Sequence, residues 1–132
     1  GALLPKGWDP ASAKVDRIGF AYVPRHCASH ARVVCDVHVH YHGCDSSWRK
    51  ASATYMLTNG LAAYAEGSNL VVIFPQAAEG GSLAGCWDWW GRTGRDSFDT
   101  RRGVQLELVM AMLAHLPRLL RTAASDGMTK AV

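Results

Sequence analysis

The run CDVHVHYHGC, residues 35–44, places three histidines on alternate positions and closes them with a glycine and a cysteine. Alternate residues of an extended strand share a face, so His38, His40 and His42 would stand in a row if the run stays extended. Such a row suits either a metal site or the rim of a catalytic pocket. As zinc ligands the outer two lie about 13 Å apart at the rise of a strand, too far for one ion bound at ~2.1 Å unless the chain bends. Two of them could serve with a ligand from elsewhere, while His38 and His40 equally suit the role of hydrogen-bonded residues on a half-exposed face. No metal is assigned. His42 differs because it directly precedes Gly43 at the end of the strand. Glycine lets the backbone turn sharply, so the next amide, that of Cys44, can face a reacting carbonyl as an oxyanion donor.

A second cluster, GCWDWWG at residues 85–91, sets Trp87, Trp89 and Trp90 around Asp88 in a glycine-flanked segment. Flat, bulky rings on a loop can wall an apolar cleft for an acyl substrate, and they can equally cap the core. Asp88, beside Arg92 and Arg95, reads as an ion-paired organiser of the loop rather than an acid or base. A nucleophile is harder to find. Ser82 in GGSLAG lacks the second glycine of G-x-S-x-G, where Ala84 stands, and no strand leads directly into it nor does a helix directly follow. The chain thus offers an oxyanion donor without a nucleophile.

Elements that would position these residues follow from periodicity. Residues 17–24 (RIGFAYVP) and 33–43 (VVCDVHVHYHG) read as strands. Cys27 and Cys35 flank the polar loop between them, and a disulfide there would pin the two strand ends within the required ~6 Å. Helical spacing of apolar residues over 46–65 predicts a helix broken near Asn59 and Gly60, with Gly67 as a stop. NLVVIFPQ, residues 69–76, is a continuous apolar run, the pattern of a strand buried on both faces, and the order strand, helix, strand predicts a right-handed βαβ crossover. A long glycine-rich stretch over 77–100 precedes a final helix, with Thr100 as its expected cap and a stripe of Val104, Leu108, Met112, Leu116 and Leu119. Pro117 would loosen its last turn. Residues 122–132 read as a disordered tail.

Bulk properties bound the function. A chain of 132 residues, 48% hydrophobic and 19% charged, suits one soluble globular domain, and no apolar run approaches the ~20 residues of a membrane helix. The net charge of +3 is slight and scattered, which argues against nucleic acid and membrane as partners. Four cysteines without a C-x-x-C knuckle favour disulfides and an oxidising compartment over zinc. The opening GALLPKGWDP has no signal-peptide pattern, so a mature or processed start is expected. No cofactor is implied.

Taken in order, GFAYVP, CDVHVHYHGC, LAAYAEGSNLVVIFPQA and GCWDWWG resemble the C-terminal half of the extracellular polyhydroxybutyrate depolymerase family, serine esterases with a circularly permuted α/β-hydrolase fold. The resemblance runs from about residue 19 to 116. It implies that residues 1–121 are the C-terminal portion of a single α/β-hydrolase domain, part of a sheet with flanking helices. It further implies that the Ser-Asp-His triad lies on upstream sequence or on a companion chain, in a proteolytically processed heterodimer. The Cys44 N–H would serve as oxyanion donor on a turn shaped by His42 and Gly43, and Trp87, Trp89 and Trp90 would line the substrate crevice. A second disulfide, Cys44 to Cys86, would tie that turn to the tryptophan loop. The chain departs from the resemblance at His40, where the family typically carries a small apolar residue. Two other readings stand beside the ester hydrolase: a catalytically inactive binding or structural protein on the same scaffold, and a metal-binding protein using the histidine strand.

Overall fold

The protein was studied as a computed structural model, which describes residues 9, 11–29, 33–79, 84–94, 96–122 and 127–131. Its centre is the apolar run of residues 70–74. As β3 (Leu70–Phe74) this segment has Val71, Val72, Ile73 and Phe74 almost wholly buried, which requires cover on both faces. Each such side chain removed from water contributes about 1.5–3 kcal/mol.

Around it the described strands form one mixed sheet in the order β2-β3-β1-β4. β1 (Gly19–Val23) runs antiparallel to β3 with Phe20 opposite Phe74 and Tyr22 opposite Val72. β2 (Asp36–Val39) runs parallel to β3 with His38 opposite Val72 and Val39 opposite Ile73. The link from β2 to β3 contains α2 (Trp48–Thr58) and α3 (Leu61–Gly67), the helical crossover that a parallel pair needs. The crossover breaks at Asn59 and Gly60 as the sequence predicts, because Gly60 takes φ +86°, a conformation that costs other residues a clash.

Strand alternation sorts the core into two layers. Phe20, Val72 and Phe74 meet Met56 and Ala65 on the α2 and α3 face. Ala21, Val23, Val71 and Ile73 meet Leu116, Leu113 and Leu120 of α4 (Val104–Thr122) on the other. Val104, Leu108, Met112 and Leu116 of the expected stripe all pack inward, whereas the side chain of Leu119 lies outside the described residues. No described helix is long and apolar enough to cross a membrane.

Four expectations change. The polar loop after β1 contains a short helix, α1 (Arg25–Ser29), closed by the Cys27 and Ala28 amides on the Pro24 carbonyl. β2 is shorter than its alternating pattern, although the His40 amide still donates to Ile73 and carries the ladder one residue further. Thr100 does not cap α4. Its hydroxyl bonds back to the Ser97 carbonyl in a separate turn, and the helix starts after Gly103, where a Cβ would overlap the Phe98 carbonyl oxygen. Residues 127–131 of the expected disordered tail form β4 (Gly127–Ala131), antiparallel to β1 from Gly19 opposite Ala131 to Val23 opposite Gly127. The free edge of β1 supplies the unpaired amides and carbonyls that recruit it.

Candidate active site

At the C-terminal end of β2 the chain leaves the sheet and turns over residues 43–46, where the Ser46 amide donates to the Gly43 carbonyl at 3.2 Å. His42, 5% exposed, is the pivot. Its Nε2 accepts from the Ala77 amide at 3.0 Å, so that nitrogen carries no hydrogen; Nδ1 carries it and donates to the Gly43 carbonyl at 2.7 Å. One neutral imidazole therefore joins the end of β3 to the turn. Gly43 C=O and Cys44 N–H belong to the same planar trans peptide and point in opposite directions. Holding the carbonyl inward aims the amide outward, on an exposed residue. Among the described residues nothing accepts from the Cys44 N–H.

Two disulfides join the pairs expected from the sequence, Cys27 with Cys35 and Cys44 with Cys86. The second, with Cα atoms 4.2 Å apart, brings the tryptophan loop onto the turn. By loop closure alone it restricts the unfolded chain by about 4 kcal/mol. The Asp45 amide adds a bond to the Ala84 carbonyl, and the buried Ser47 hydroxyl donates to Glu79. Trp87 packs edge-on to Tyr41, with ring centres 4.9 Å apart, and lies 5.5 Å from the His42 ring. Of the three tryptophans it is Trp87 that reaches the turn. Trp89 and Trp90 pack on each other 4.6 Å apart, with Trp89 73% exposed.

Asp88 organises the loop through hydrogen bonds. Its carboxylate accepts from the amides of Trp90, Gly91, Arg92 and Thr93 and from the Thr93 hydroxyl. Burial raises its pKa, yet the bonds from Thr93, Arg92 and Trp90 together hold it below the ordinary 3.8. A carboxylate collared by its own loop is no free acid or base. Arg95 and Ser82 lie outside the described residues.

The histidine row does not converge on one point. His38 is exposed, whereas His40 and His42 border a small cleft with Ser46, Ser52, Tyr55 and Phe74. The His40 ring meets Phe74 at 5.5 Å, and its Nε2 is buried with no partner among the described residues. Burial first, then the fields of His38 and His42, push its pKa below that of free imidazole.

Three supports escaped the sequence reading. Gln76, at the end of β3, accepts from the Trp48 amide at the start of α2 and donates to Phe74. Gln105, in the first turn of α4, accepts from the Asp88 amide and donates to the Ala13 carbonyl. Asp16 takes the Arg49 guanidinium at 2.6 Å and the Trp48 indole N–H. Each joins segments far apart in sequence, and only the lone polar residue beside an apolar run, as in IFPQ, hints at such a role.

No protein-family model matches the chain. It is 32% identical to a polyhydroxybutyrate depolymerase of Talaromyces funiculosus, in an alignment covering 77% of this chain and 33% of the relative. It is 30% identical to a poly(3-hydroxybutyrate) depolymerase of Delftia acidovorans, covering 72% of this chain and 19% of the relative. The crystal structure of the PHB depolymerase from Penicillium funiculosum superposes with a TM-score of 0.66 at 28% identity, over 86% of this chain and 36% of that one. A PHB depolymerase structure complexed with an R3HB trimer matches at 0.65, with the same identity and coverage. The chain thus spans a third or less of the length of these curated relatives.

Proposed function

We infer, from the premise that this chain is homologous to part of the polyhydroxybutyrate depolymerases, that it forms the oxyanion and substrate-cleft portion of an extracellular serine esterase acting on hydroxyalkanoate-like esters. The observation that carries this reading is the His42 bridge from the Ala77 amide to the Gly43 carbonyl, which turns the Cys44 N–H outward. An oriented amide held by a buried ring needs no reorganisation when charge develops on an ester carbonyl, and that is the condition for electrostatic catalysis. The donor gains strength as well, because a carbonyl that accepts a hydrogen bond polarises the N–H of its own peptide.

The serine, histidine and aspartate of the triad come from upstream sequence, joined to this portion in a circularly permuted α/β-hydrolase domain or held by a companion chain after processing. The serine oxygen adds to the ester carbonyl as the histidine takes its proton. The resulting oxyanion rests on the Cys44 N–H until the alcohol departs with that proton, and water then releases the acid. Trp87, beside the turn, forms the near wall of the cleft, and the exposed Trp89 with the half-buried Trp90 extends it toward a bulkier substrate.

The test uses the complete protein that carries this chain, assayed on a short acyl ester and on hydroxybutyrate oligomers. Cys44→Pro removes the amide hydrogen, whereas Cys44→Ser loses the disulfide and keeps it. If the reading holds, the proline variant loses about 10²–10³-fold in kcat relative to the serine variant. Equal activity in the two rejects Cys44 as the donor. A folded protein without hydrolysis on either substrate supports the inactive binding scaffold instead.

A further inference from the structure

At the opposite end of β2 from the turn, α1 brings His26 against the Cys27–Cys35 bridge. A ring nitrogen of His26 and the two sulfurs all lie within 4.8 Å of one another. The Nε2 of His26 is buried and has no partner among the described residues, and a desolvated polar atom left unpaired is unfavourable. The bridge itself has an apolar wall, because Cys27, Ala28 and Cys35 pack against the buried cluster that contains Val71, Ile73 and Leu116. The disulfide leaves that nitrogen unsatisfied.

We propose that His26, Cys27 and Cys35 form a redox-gated site for a borderline-soft divalent cation of the zinc type, open only when the bridge is reduced. A dithiol reductant supplies two electrons and two protons, becoming a disulfide itself and leaving two thiols. Metal binding then expels both thiol protons and sets the ion between two thiolates and a neutral imidazole, with water in the fourth position. Ligand atoms in a tetrahedral shell of that kind stand ~3.5 Å apart, which the present 4.8 Å span already encloses. The two Cα atoms are 6.0 Å apart, so the sulfurs separate by side-chain rotation. Two thiolates and a dication sum to zero, and a neutral complex suits an apolar wall where an unbalanced charge would not. Both ligand-bearing elements are held in place. The Cys27 amide is fixed to the Pro24 carbonyl, and the Asp36 amide next to Cys35 is fixed to Asn69.

The probe is cobalt(II), whose thiolate charge-transfer and visible bands report sulfur ligation and tetrahedral geometry. The complete protein is prepared in a Cys44→Ser, Cys86→Ser background, reduced with dithiothreitol without oxygen, freed of reductant and titrated. One equivalent should bind to the reduced form and none to the oxidised form, and zinc should displace it. Cys27→Ser should abolish the bands. His26→Ala should keep the sulfur band and weaken binding by more than about tenfold, the least that losing even an outer partner of a metal site costs. Absence of the bands on reduction, their survival in Cys27→Ser, or unchanged affinity in His26→Ala would each overturn the site. Should reduction alone unfold the protein, the same reduction with zinc present must preserve its circular dichroism, and loss of the signal in both cases overturns the proposal equally.

Discussion

His42 does its work as a neutral ring with both nitrogens committed to backbone groups, a different task from moving a proton. Asn at this position can donate to the Gly43 carbonyl but is too short to bring its amide oxygen to the Ala77 amide as well. In the complete enzyme His42→Asn should therefore lower kcat about tenfold or more, short of the full loss of a donor, with KM little changed. The profile of kcat/KM against pH should keep its shape. Disappearance of a limb of that profile would make His42 a base. His40 behaves differently, because its buried Nε2 lacks a partner among the described residues and its pKa is depressed. When the folded value lies below the unfolded one, the unfolded chain binds more protons in between, and stability falls as the pH drops from about 6.5 through the folded value. His40→Leu should remove that acid sensitivity and stabilise the protein by about 1 kcal/mol at neutral pH. Thermal melts at several pH values would read both effects, and a steeper loss in acid for the Leu variant would contradict this account.

The tryptophan loop has no regular structure of its own and is held by one carboxylate, one disulfide and one glutamine. Because Asp88 is depressed below 3.8, its contribution is complete above that value and fades as the pH falls through the folded one. Tryptophan emission should therefore change below pH 3.8 in the native sequence. Asp88→Asn should show the altered emission already at neutral pH, with a cost of about 2 kcal/mol, typical of a hydrogen bond to a charged acceptor. Identical emission in both proteins across the range would show that the collar does not shape the loop. Local chemistry made some elements legible. The LVVIF run, the Asn59-Gly60 break and the inward stripe of α4 each follow from neighbours in sequence. What stayed hidden depends on backbone turns that no periodicity encodes. Thr100 looks like a helix cap until the Phe98 carbonyl closes on Gly103, and the four amides that Asp88 gathers leave no periodic mark. In the candidate site, the His-Gly-Cys turn was readable, whereas the Ala77 amide that fixes the His42 tautomer lies 35 residues away and left no mark in the pattern.

The sheet is four strands wide among the described residues, and β2 stands at its margin. Val37 on this strand is 42% exposed, and Val34 just before it is 87% exposed. An apolar edge of that kind calls for a further strand, and the relatives are about three to five times as long as the portion matched here. Residues 1–132 expressed alone under oxidising conditions should therefore aggregate or melt without cooperativity and should not hydrolyse a short acyl ester, whereas co-expression with the upstream sequence should restore both properties. Size-exclusion chromatography and calorimetry decide between these outcomes. A soluble monomer with a sharp transition would show that the edge needs no partner. The two disulfides bear on the order of assembly. One is anchored at Cys35, immediately before β2, and the other at Cys44, just past its end. A strand slipped by one residue presents the wrong side chains to each face; a strand tethered beyond both ends is held against slipping while it waits. If a further strand docks on this edge, oxidation should precede that docking, and a chain kept reduced until then should yield mispaired complexes that later oxidation locks in place.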